Sequence, residues 1–171
     1  MPDYNSNNSS AWSEISARIQ TREHVFLTFI VLTATLVGLA LSKNDLAFVG
    51  VSVGYVSLAT AILCRHHDLI IGQLGKYQRK LYTADTEHPN IPNWQADPFL
   101  KDVKGARSIR DWAQILFIVL GTIPALYIAK TTLATPTEIR TLLWYGSLGC
   151  SVFAVYVVIQ TQIDRKRIWQ E

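Results

Sequence analysis

The sequence predicts an all-α integral membrane bundle of four helices, and three observations carry that expectation. Four stretches, 25–42, 46–64, 112–129 and 141–163, contain no Asp, Glu, Lys or Arg. Each is long enough to cross a hydrocarbon core about 30 Å thick. Only 17% of the 171 residues are charged and 49% are apolar, where soluble domains carry roughly 25% charge. The 16 Lys and Arg are also partitioned: 13 fall in the N-terminal flank, the segment 65–111 and the C-terminal tail, and 3 (Lys43, Lys130 and Arg140) fall in the two remaining connections. By the positive-inside rule this places both termini and 65–111 in the cytoplasm. The chain reads as a single membrane domain over 1–171. A soluble globular protein, a disulfide-stapled secreted domain, a disordered chain and a nucleic-acid-binding module are all excluded, the last because the net charge of +3 forms no basic face.

The elements follow in order. An Asn/Ser-rich start over 5–10 reads as a mobile polar lead. Trp12, Ile15 and Ile19 then recur at helical spacing with Glu14, Arg18 and Arg22 between them, which predicts an amphipathic helix over 11–24 lying on the membrane. The first span is placed at 25–41. Gly38-Leu39-Ala40 has the small-x-small form of a cleavage site, but the apolar run is too long and too far from a basic start for a signal peptide. Asn44-Asp45 makes a tight outer turn into a second span at 46–64, and the helix is expected to continue to residue 82 with Ile70, Leu74, Tyr77 and Leu81 on one stripe. An extended return loop over 83–97 and a short helix from Asp97-Pro98 to Gly105 come next. Ser108 to Asp111 reads as the start of the third helix and its span at 112–129, with a kink at Pro124. Thr135-Pro136-Thr137-Glu138 is a capping box that starts the fourth helix, with its span at 141–160. Tyr127, Trp144 and Tyr145 are expected at the outer membrane interface and Trp112 at the inner one.

Two constellations are candidates for function. Ala47, Gly50, Gly54, Ser57 and Ala61 are spaced by 3, 4, 3 and 4 residues, and Gly146, Cys150 and Ala154 form a shorter stripe of small residues. In lipid, such stripes let helix backbones approach closely, either between subunits or inside one bundle. Cys64, His67 and Asp68 share one helical face beside His66, with His24 at similar depth. They could ligate zinc, although the blander reading is preferred: the histidines anchor the helix at the headgroup level and Asp68 balances Arg65. No catalytic or cofactor motif is present: there is no phosphate loop, nucleophile elbow or zinc-protease signature. No span carries an acidic or basic residue at mid-membrane, which argues against an ion-driven transporter. Thr28, Thr33, Thr35, Ser52, Ser57 and Thr60 could wet a pore or bond back to their own carbonyls, the second being favoured.

The stretch His67-Asp68-x-x-Ile71-Gly72-x-Leu74-Gly75-x-Tyr77-x-Arg79, preceded by Glu14-Ile15 through Arg22-Glu23, resembles a pattern in uncharacterised small bacterial four-span membrane proteins. The resemblance implies no activity. It implies only that the juxtamembrane helix 65–82 is a recurring part of such proteins; the expected location is a bacterial inner membrane. The expectation for function is a non-enzymatic homo-oligomeric membrane protein that anchors or signals through 65–111, with a cytoplasmic protein partner there. A pore or membrane-disrupting effector, and a small lipid-directed enzyme built on Cys64, His67 and Asp68, are the alternatives.

Overall fold

The computed structural model describes residues 4–42, 44–84, 104–131 and 138–170, with side chains placed for 13–42, 46–77, 109, 111–131 and 138–167. Among these residues the protein is all helical. Four α-helices, α1 (Tyr4–Ser42), α2 (Ser52–Ala84), α3 (Lys104–Thr131) and α4 (Glu138–Gln170), are joined by a 3₁₀ segment (Asn44–Val51) that leads into α2. All four contain a stretch long and apolar enough to cross a membrane. They alternate in direction. Arg22 meets Asp68 and Arg65 meets Asp164 at one end, while Arg140 lies over Phe48 at the other.

Several boundaries differ from expectation. The polar start, the amphipathic helix and the first span form one continuous helix from Tyr4, and no Gly or Pro interrupts it before Gly38. The second span opens in 3₁₀ rather than α geometry. In a 3₁₀ helix residues i and i+3 eclipse, so Ala47 and Gly50 stack on one buried line and Phe48 and Val51 on the next. The third helix starts at Lys104 and runs through Gly105 without a stop. Pro124 lies inside α3, which continues to Thr131. The return loop beyond Ala84, the helix start at Asp97-Pro98 and the capping residues Thr135, Pro136 and Thr137 lie outside the described residues.

Each helix turns a heptad-like stripe inward, the spacing that keeps a straight seam against neighbouring helices. On α1 the stripe is Ile15, Arg22, Phe29, Thr33 and Ala40; on α3 it is Asp111, Gln114, Ile118, Thr122, Ala125 and Ala129. The small residues of the 3₁₀ segment and α2 allow close approach, and the largest interface of α2 is with α4. A Cβ on Gly54 would lie 2.2 Å from the Ser147 carbonyl oxygen, and one on Gly50 would lie 2.8 Å from that of Ala125. Ala47, Gly50, Gly54, Ser57 and Ala61 are all buried within the single chain. The helix-association stripe of α2 is therefore covered by α3 and α4 of its own bundle. On α4 the inward line is Ser147, Ser151, Ala154 and Val158, so Gly146 and Cys150 lie at its flank and only Ala154 of the expected trio is fully buried.

Several hydroxyls along the bundle bond back to their own helices, while Thr33 Oγ1 and Ser147 Oγ are buried without a partner among the described residues. Ser57, Ser151, Thr161 and Thr35 donate to the carbonyls four residues earlier, at 2.8, 2.9, 2.7 and 2.8 Å. Two apolar clusters fill the interior, one around Phe29, Ala61, Ile118 and Ala154, and one around Val51, Leu126 and Ala129. Trp144 is half-buried and donates its indole N–H to the Leu126 carbonyl at 3.0 Å. It packs helices together instead of lining the outer surface, as Tyr127 and Tyr145 do.

Candidate functional site

The inward stripes do not end with the apolar core. At the end where α1 enters the apolar region, the next stripe positions are charged: Arg22 on α1, Asp68 on α2, Asp111 on α3 and Arg165 on α4. They form one layer that all four helices share. Arg22 is 9% exposed, Asp68 7% and Asp111 4%, a depth at which an unpaired charge is strongly disfavoured. The Arg22 guanidinium donates to Asp68 Oδ1 at 2.7 Å and also to Glu23. The other oxygen, Oδ2, lies 3.9 Å from Arg165, which itself donates to Asp111. The chain of pairs runs Arg22–Asp68–Arg165–Asp111 and so crosses from α1 to α2 to α4 to α3. A planar guanidinium with several fixed donors suits this bridging role better than a lysine ammonium does.

Beside the layer, Arg65 donates to Asp164 Oδ2 at 2.8 Å, and Gln160 donates to Asp164 Oδ1 at 3.3 Å. The expectation that Asp68 balances Arg65 is corrected here. Residues 65 and 68 are close along the helix surface, but Asp68 turns inward on the stripe of Ala61 and Cys64 while Arg65 turns toward α4. The Arg65–Asp164 side chains are 32% and 21% exposed, so the pair is a partly screened one. Replacing Arg65 by Ala is expected to cost less than about 1 kcal/mol in unfolding assays, since exposed pairs contribute little.

Cys64, His67 and Asp68 do lie on one buried face, as their spacing implies, and His66 is exposed. His67 is turned into the bundle: it is 8% exposed, and its Nδ1 has no hydrogen-bond partner among the described residues. The triplet does not build a ligand set, because Asp68 is committed to two guanidiniums, and among the described residues no three His, Cys, Asp or Glu side chains gather as a metal site. Arg22, Glu23, Phe26, Cys64, Asp68 and Gln114 line a recess of about 10 Å³, the space of a single water molecule. Gln114 is buried there with its Nε2 unpaired. A recess of this size fits one water, and the ion pairs around it link α1, α2, α3 and α4.

Arg22, Asp111 and Arg165 are the residues that sequence reasoning missed as a site, having read two of them as flank charges and the third as a helix start. The signal was present. Arg22 is midway between Ile15 and Phe29 at steps of 7 residues, and Asp111 and Arg165 extend the inward stripes of α3 and α4 at steps of 3 and 4. No protein-family model, curated protein or solved structure matches the chain.

Proposed function

We propose that this protein is a non-enzymatic multi-pass membrane module, with both termini and the segment 65–111 on the cytoplasmic side, that anchors or signals through that segment. The observation that supports the reading best is the charged layer. It ties all four helices together at the level where α1, α2 and α4 continue beyond their apolar stretches. A change of position in any of these extensions bears directly on the ion pairs, and the pairs couple it to the other helices. The partition of 13 Lys and Arg against 3 supports the orientation. Self-association belongs to this reading as well, through the outward faces of the bundle, since the α2 stripe is covered internally. The filled interior around Phe29 and Ile118 favours a module over a pore.

Three measurements test the proposal. A reporter fused after Glu171 is expected to be active in the cytoplasm, and one inserted in 131–137 to report the outside; the reverse pattern overturns the orientation. Purified protein in planar bilayers is expected to pass no current, whereas discrete conductance steps would establish the pore instead. In cells, a photo-crosslinker at Tyr77, which is 48% exposed, is expected to capture one defined protein partner.

A further inference from the structure

The charged layer has a second consequence, for the surface around it. Along 65–84, 104–111 and 161–170 there are ten Lys and Arg against three carboxylates, Asp68, Asp111 and Asp164, a net charge of +7. All three carboxylates are turned into the bundle, with side chains 9%, 5% and 21% exposed. They are engaged by Arg22, Arg165 and Arg65. At the same end α1 adds Glu14 and Glu23, half-exposed but paired with Arg18 and Arg22 and so without net charge, while Lys166 and Arg167 are exposed on α4 directly beyond Arg165. On α3, next to the inward Asp111, Trp112 and Ile109 are 62% and 70% exposed. An outward Trp at the boundary between a charged layer and an apolar stretch is the arrangement found at headgroup depth. The opposite end differs. Its Lys130 and Arg140 each lie 5.6 Å from an aromatic ring centre, on Trp144 and Phe48, and Glu138 is exposed nearby.

We propose that the surface around the charged layer, with Lys166, Arg167 and Trp112 as its described members, binds anionic phospholipid headgroups. The inference rests on the reading of the bundle as membrane-spanning. Charge complementarity selects the occupant: an exposed cationic rim beside an interfacial Trp fits a phosphodiester whose headgroup leaves net negative charge, and gives no preference for a zwitterionic one. Each basic residue near such a surface strengthens binding about fivefold.

The test uses the full chain in detergent, offered equal amounts of dioleoyl phosphatidylglycerol and dioleoyl phosphatidylcholine, with retained lipid counted by native mass spectrometry. The wild type is expected to retain phosphatidylglycerol preferentially. The preference should fall about fivefold in Lys166→Gln and about thirtyfold in Lys166→Gln/Arg167→Gln. These side chains are exposed, so both variants fold, which flotation with phosphatidylcholine vesicles verifies. Equal retention of the two lipids by the wild type overturns the inference, as does a preference that the double variant leaves unchanged. A wild type that floats with vesicles and shows no preference removes this inference alone. One that floats with no vesicle removes the membrane reading with it.

Discussion

Replacing Asp68 by alanine is expected to destabilise the folded protein by about 3–5 kcal/mol, the cost of leaving a buried charge without its partner. The size of the effect follows from the position of Asp68 between two guanidiniums. Its removal leaves Arg22 with only the exposed-side Glu23, and leaves Arg165 with Asp111 alone. Arg22→Ala should be costly for the same reason, and the double variant should cost less than the sum, because the second change removes the charge stranded by the first. Unfolding of the four proteins in one detergent, followed by circular dichroism, measures the coupling. An Asp68→Ala protein as stable as the wild type would mean that the layer holds nothing together. A further variant separates stability from function: Arg22→Leu/Asp68→Leu exchanges the pair for apolar contact and should restore most of the loss, since buried pairs contribute little net energy over well-packed apolar residues. If the layer couples the helices for signalling, this variant is stable and still loses its partner crosslink at Tyr77.

Gly54→Leu is expected to be as damaging, and to act inside the monomer. Even a Cβ at this position would lie 2.2 Å from the Ser147 carbonyl and 2.7 Å from Ser151 Oγ. The first of these is backbone, so α2 and α4 must separate, and the loss falls at or above the upper end of the usual 1–3 kcal/mol for overpacking, about 3 kcal/mol. Gly149 is the internal control. Nothing lies within 4 Å of a Cβ there, and Gly149→Ala should be neutral or gain a few tenths of a kcal/mol from helix propensity. Light scattering in detergent distinguishes the two roles of the α2 stripe. Internal packing predicts an unfolded or destabilised Gly54→Leu chain, whereas a subunit seam predicts a folded chain of lower mass.

The sequence by itself determined the four apolar helices and the uneven distribution of Lys and Arg among the segments that connect them. These are summed properties: transfer free energy adds residue by residue along 18 or more positions, and a count of Lys and Arg does not depend on how the helices rotate. The continuation of α2 past Cys64 was legible for a similar reason, since the apolar period persisted through Ile70 and Leu74. Whether a residue faces inward is a different kind of quantity. Arg22 among Arg18, Glu23 and His24 is equally compatible with the headgroup layer and with the bundle interior. Its direction depends on the rotational phase that Ile15, Phe29 and Thr33 impose on α1, and on Asp68 being there to meet it. The same applies to Asp68, whose nearest cation along the helix is Arg65 but whose partners come from α1 and α4, and to the α2 stripe, which the sequence left open between subunit seam and internal packing. Tertiary structure decided these points because an ion pair or a close backbone crossing exists only when two helices, each with its own phase, present matching positions at the same depth.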